Sequence, residues 1–183
     1  MKGLVFNVLE DVVVRMHGAG AWSATLAAAG RRGNFAALGD YDEVELESLV
    51  EVASHMLDVP AQQMLRWIGS ESLSTLAERY PDIFLQFGHA YPPAARMAAL
   101  LQSGLAILFT DESRPDFEVN LQPDGGLRVR CHAPRCLCTI TLGFLEGAAA
   151  HYGLTAAVSP IECLGRGNAT CLSVLYLASA RMQ

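Results

Sequence analysis

The sequence predicts an α+β protein. A helical N-terminal subdomain spans residues 1–60, and a C-terminal subdomain spans 61–183 with a ββαββ unit and a four-stranded antiparallel sheet. Three observations carry this. Apolar residues recur at helical spacing from the start of the chain to Phe109. From Pro115 the period shortens to that of strands, and Pro123-Asp124-Gly125-Gly126 supplies a hairpin turn between two short runs. All five cysteines then fall between Cys131 and Cys171, on either side of one apolar helical segment.

Residues 1–17 predict an amphipathic helix, with Leu4, Val8, Val12 and Met16 on one stripe and Val5, Leu9 and Val13 beside it. Gly18 and Gly20 break it, and Ala21 to Ala29 form a second, short helix stopped by Gly30. Asp40 caps the next helix, and Glu43 three residues on completes a capping-box pair. Val44, Leu46, Leu49, Val50, Ala53, Met56 and Leu57 form its broad apolar face. Pro60 suits a helix start. That helix runs to Gly69, and a separate short helix covers Leu73 to Arg79. Pro81 turns the chain into Ile83-Phe84-Leu85.

Pro92-Pro93 open a long helix ending near Phe109. It is apolar almost all round, which predicts burial. Gln102 lies inside that run, so a buried amide in need of partners is expected there. Strands follow over 117–121 and 127–131. The central helix runs from Thr139 to Tyr152 with Gly153 as its C-cap. A second strand pair, 154–163 and 171–178, is joined through Leu164-Gly165-Arg166-Gly167-Asn168.

Composition narrows the function. The hydrophobic share is 51% over 183 residues, with mean hydropathy +0.25, but no apolar run is long enough for a membrane span. A net charge of −6 and a pI near 5.3 argue against nucleic-acid binding. Met1-Lys2-Gly3 leads straight into a patterned segment, unlike a signal peptide. A cytoplasmic setting is therefore expected, in which thiols stay reduced. Nucleophile–base patterns, phosphate loops and H-E-x-x-H are missing from the sequence, so no enzyme is expected. Trp22, Trp67, Met56, Met64 and Met97 read as packing residues.

The cysteines read C-x4-C-x-C, a gap, then C-x7-C: Cys131, Cys136, Cys138, Cys163 and Cys171. Such a cluster holds a metal, senses redox state, or packs as small hydrophobes. Four thiolates around zinc would need sulfurs about 2.3 Å from the metal, and thiolates at a helix N-terminus oxidise readily. On spacing alone, zinc, reduced thiols and disulfides all stay open.

Several segments together resemble the heme–nitric oxide/oxygen binding (H-NOX) family, related to the heme domain of soluble guanylate cyclase. They are MKGLVFNVLEDVVV, Trp22, YDEVELESLV, R-C-H-A-P-R after the hairpin, and L-G-F-L-E-G-A-A-A-H-Y. The resemblance implies a non-catalytic sensor domain with heme as cofactor. In the family one histidine on the long helix holds the iron, a Tyr-x-Ser-x-Arg motif holds the propionates, and oxygen binders add a distal tyrosine. Those positions fall here on Gln102, on Cys131, Ala133 and Arg135, and on Ile140. Only the arginine matches. A subset of the family carries a four-cysteine zinc site. Cys138, Cys163 and Cys171 fall on three of its positions, and the fourth falls on Ile140. The expected zinc ligands are therefore Cys136, Cys138, Cys163 and Cys171, with Cys131 as the alternative. The resemblance further implies a signalling partner, such as a histidine kinase or a cyclic-dinucleotide enzyme. Heme held by another ligand, or a heme-free interaction module with an apolar cavity, are the other readings.

Overall fold

The computed structural model describes residues 1–86, 93–110, 114, 116–123, 126–132, 135–159, 162–163 and 171–179, with the side chains at 83, 86, 93, 94, 135, 136, 162, 163, 171 and 179 outside that description. Seven helices and five strands are described: α1 Gly3–His17, α2 Ala19–Ala28, α3 Glu43–Leu57, α4 Ala61–Arg79, α5 Pro81–Gln86, α6 Pro93–Leu108, β1 Asp116–Leu121, β2 Leu127–His132, α7 Arg135–His151, β3 Leu154–Val158, β4 Glu162–Cys163 and β5 Cys171–Ser179.

The α+β architecture is the expected one. The antiparallel strands lie in the order β1-β2-β5-β3, and the two-residue β4 also pairs with β5. Leu127, Val129 and Cys131 alternate with outward Arg128 and Arg130 along β2, giving one buried face. Ser173 and Leu175 continue that face on β5. Helix α7 lies against it through Cys138, Thr141 and Leu142. Its opposite side meets α4.

Near the N-terminus, α1 buries Leu4, Val5, Val8, Leu9, Val12 and Val13 of the stripes that its period predicts, while Met16 at its end is exposed. Gly18 sits at φ 86, which a side chain disfavours, and separates α1 from α2. The chain start is tied to α6, because the Lys2 N–H donates to the Leu108 carbonyl over 2.9 Å.

Four expectations need correction. Helix α3 is capped by Asp42, whose carboxylate accepts from the Val44 N–H at 3.0 Å. Asp40 instead pairs with Lys2. Helix α4 is continuous through Gly69, where two helices were expected, because that glycine serves a helix crossing and not a stop. Helix α7 begins at Arg135, four residues before Thr139. Val44 and Met56 of the apolar face of α3 are exposed, whereas Met64 and Met97 are core.

The α4–α7 crossing is the tightest in the fold. A Cβ on Gly69 would lie 2.1 Å from the Ile140 carbonyl oxygen, and one on Gly143 would lie 2.1 Å from that of Arg66. Gly147 is similarly close to Ser70. Beside this crossing the Arg66 guanidinium meets the Glu146 carboxylate with both oxygens engaged, Nε donating at 3.0 Å and a terminal nitrogen also donating. Each side chain keeps roughly a third of its surface in water, and water screens such pairs. Glu146→Gln is therefore expected to cost no more than about 1 kcal/mol, read by urea denaturation. A loss several times larger would mean that the pair, and not the glycine contacts, sets the crossing.

Candidate functional site: a row of cysteines beneath the central helix

The hairpin and the final strand bring the cysteines together. In the β2–β5 register Cys131 pairs with Cys171. In the β4–β5 register the same Cys171 pairs with Cys163. Three cysteines, separated in sequence by as many as 40 positions, therefore form one continuous row across three strands. Residues directly opposite one another in antiparallel strands keep their Cβ atoms about 4.5–5.5 Å apart.

A fourth cysteine comes from above. Cys138 lies in the first turns of α7, and its Sγ is 3.8 Å from the Cys131 carbonyl oxygen. Cys131 and Cys138 are both buried thiols. They line a small recess of about 10 Å³ with Val129, Thr141, Leu142, Leu172 and Ser173. The floor is held by hydroxyls: Ser173 Oγ donates to the Ser159 carbonyl at 2.9 Å, and Ser159 Oγ accepts from the Val174 N–H at 2.8 Å. Thr141 turns inward too, but its hydroxyl donates to the Leu137 carbonyl of its own helix.

The other expected site residues lie elsewhere or outside what is described. Cys136 is the second residue of α7, and its side chain is not among those described. The same holds for the side chain of Arg135, while Ala133 lies outside the described residues altogether. The turn over 164–168 also lies outside them. Ile140 is fully buried in α7. Among the described residues, no three His, Cys, Asp or Glu side chains converge on a common point for a metal ion.

Gln102 is exposed and is not the buried amide expected. Helix α6 turns Met97, Leu100, Leu101, Leu105 and Leu108 inward and leaves Ala95, Gln102 and Ala106 on the open side. Residues 95, 102 and 106 share one helical face. Gln102 opens onto a recess of about 300 Å³ walled by Arg114, Asp116 and Phe117. On its inner side α6 meets α7 at Gly104, against which the Phe144 ring is pressed.

The sequence reading missed the row itself and the Ser159–Ser173 floor. One signal was available. Cys131 continues the alternation of Leu127 and Val129, which assigns it to the buried face of the hairpin. The strand that pairs with it is set by a long-range register that no local pattern reveals. No described helix is long and apolar enough to cross a membrane.

Comparison with known proteins places this geometry in context. A sequence model of the family described as Haem-NO-binding matches residues 2–159. A crystal structure of an H-NOX protein from S. oneidensis in the Fe(II)NO ligation state is 27% identical. It superposes with a TM-score of 0.82 and covers 98% of this chain and 100% of that one. An NMR structure of an H-NOX domain from Shewanella oneidensis in the Fe(II)CO state is also 27% identical, with a TM-score of 0.76 and coverage of 97% and 99%. An unliganded Fe(II) H-NOX protein from K. algicida shares the fold at 17% identity, with a TM-score of 0.81 over the whole of both chains. No curated protein matches the sequence significantly.

Proposed function

Because this chain belongs to the Haem-NO-binding family, the H-NOX sensor domains, we propose that it is a non-catalytic sensor module whose input is its thiol cluster. The observation that carries this is the cysteine row, with Cys171 paired to Cys131 on one side and to Cys163 on the other. Cys138 completes a quartet from α7. This favours Cys131, the alternative ligand in the sequence reading, over Cys136 as the fourth thiol.

The donor chemistry fits zinc. Four thiolates suit a closed tetrahedral site, and each directly paired couple in the row is close enough for its two sulfurs to share one ion. Bound there, zinc would pin the start of α7 to three strands. A peroxide would oxidise two of the thiolates to a disulfide, be reduced to water, and release the metal. The α7 N-terminus would then lose its anchor, while α4 stays fixed to α7 through the glycine crossing. A partner such as a histidine kinase or a cyclic-dinucleotide enzyme would read that change.

The donor set does not fit the family's heme ligation. At the iron-ligating position Gln102 offers a neutral amide, a poor ligand beside imidazole, and its recess has charged walls in Arg114 and Asp116. At the propionate position Cys131 is buried beneath α7 and turned to the thiol recess. That recess has room for about 10 Å³, far below ordinary small-molecule pockets of about 300–1,000 Å³.

Elemental analysis combined with an absorption spectrum of the purified chain tests the proposal. About one zinc per chain is expected from four thiolates, lost on Cys131→Ser and on Cys138→Ser, with no Soret band after incubation with hemin. Zinc retained in Cys131→Ser would remove the row from the site. A Soret band from stoichiometric, tightly held heme would favour a heme sensor with an atypical ligand.

A further inference from the structure

Helix α6 contains one charged residue, Arg96. It is 8% exposed. A guanidinium does not lose its proton in a protein, so a full positive charge is held almost out of water. Buried charges are paired or bind an ion. Four other arginines, each with more than a third of its side chain in water, still pair with Glu71, Glu45, Glu146 and Glu118. Arg96 has no carboxylate among the described residues.

What it has is a ring. The Arg96 guanidinium carbon sits 4.6 Å from the centroid of Tyr152. That ring is clamped in place. Its hydroxyl donates to the Phe84 carbonyl at 3.4 Å, and the His151 ring lies 5.2 Å from it and 5.0 Å from Phe84. Burial pushes the Tyr152 phenol up from its ordinary value, and Arg96 opposes this only in part. The phenol therefore stays neutral and does not supply the missing negative charge. A ring face offsets part of the desolvation of a cation but does not replace a counter-ion.

The guanidinium is open in one direction. Of its nitrogens, Nε is the one both enclosed and without a hydrogen-bond partner. The side-on edge through Nε is therefore shut, and the end-on edge between the two terminal nitrogens is the approach that remains. Two parallel N–H groups at that spacing match the two oxygens of a carboxylate or a phosphate.

The geometry points to an anion site in which Arg96, seated on Tyr152, takes a small oxyanion end-on, a carboxylate or an inorganic phosphate. It sits where α5, α6 and the end of α7 meet. Along α7 it is about 20 Å from Cys138, so it is separate from the thiol cluster and independent of how that cluster is read. The bound anion would supply the charge that the fold leaves out, and would tie the start of α6 to the end of α7.

Calorimetry and thermal unfolding of the full chain test this, with inorganic phosphate and acetate added in turn against sodium chloride at equal ionic strength. One of the two anions, or both, is expected to bind one per chain and to raise the melting temperature to a plateau, which chloride does not do. Phosphate alone or acetate alone identifies the source. Arg96→Met keeps the bulk and removes the charge. It is expected to weaken binding at least tenfold and to be no less stable than the parent in chloride. Arg96→Lys keeps the charge without the fork, and a several-fold weaker response is expected. The proposal is overturned if neither anion gives a saturable response, or if Arg96→Met responds as the parent does. Should Arg96→Met fail to fold, an unchanged response in Arg96→Lys overturns it instead.

Discussion

Gly143→Ala is expected to destabilise the protein by about 2–3 kcal/mol, although alanine is the better helix former by about 1 kcal/mol. The reason is the α4–α7 crossing. The new Cβ would stand 2.1 Å from the Arg66 carbonyl oxygen and 2.8 Å from its carbonyl carbon. Both are backbone atoms, so no side-chain rotation relieves the clash, and the helices must part. Parting them loosens Gly69 from Ile140 and Gly147 from Ser70 as well. In a chain of this size the melting temperature should fall by about 6–10 °C. The same substitution at Gly20 is the control. That glycine is in α2, and a Cβ there would meet nothing within 4 Å. At that position alanine should be neutral or stabilise by about 0.5 kcal/mol. Equal effects at both sites would mean that the crossing is not as close as described.

That crossing also shows where the sequence stops being legible. Helical periodicity reveals α1, α2, α3 and α6 because a helix on a core surface must repeat its apolar face. The hairpin is legible because its turn chemistry is local. Gly69 reads as a terminator because a glycine that ends a helix and one that admits a second helix look alike in sequence. What separates them is the partner, here Gly143 and Gly147, more than 70 positions away. The start of α7 is hidden for a related reason. Arg135 to Cys138 carry no apolar period of their own, yet the fold continues the helix through them.

The site follows the same division. That the cysteines would gather is legible from their spacing around one helix. Which of them align is not, because the Cys131–Cys171–Cys163 row is a matter of strand register. Helix α6 gives the sharpest reversal. Its two long polar side chains, Arg96 and Gln102, are six residues apart and so lie about 120° apart around the helix, on opposite flanks of its apolar stripe. The amide is the one expected inside, since a buried amide is less costly than a buried charge. The fold buries the guanidinium, over the ring of Tyr152, and exposes the amide. An aromatic platform at the far end of another helix is invisible to any local pattern.

Phe144→Ala is expected to have the largest effect of any single truncation, about 3–5 kcal/mol, measured by chemical denaturation. Phe144 is wholly buried and joins three helices. Its backbone N lies against Gly69 of α4, and its ring lies against Gly104 of α6. Removing the ring leaves a cavity that α4 cannot close, because the backbones of α4 and α7 are already in contact. A second substitution separates this contact from simple loss of bulk. A Cβ on Gly104 would come within 2.3 Å of the Phe144 ring, so Gly104→Ala alone should destabilise. With Phe144→Ala present the space is free, and the same change should stabilise by filling it and by its helix propensity. The two substitutions should therefore couple by more than about 1 kcal/mol. Additive losses would show that the ring does not rest on α6. In that case α6 would be free to move against α7 without disturbing the core.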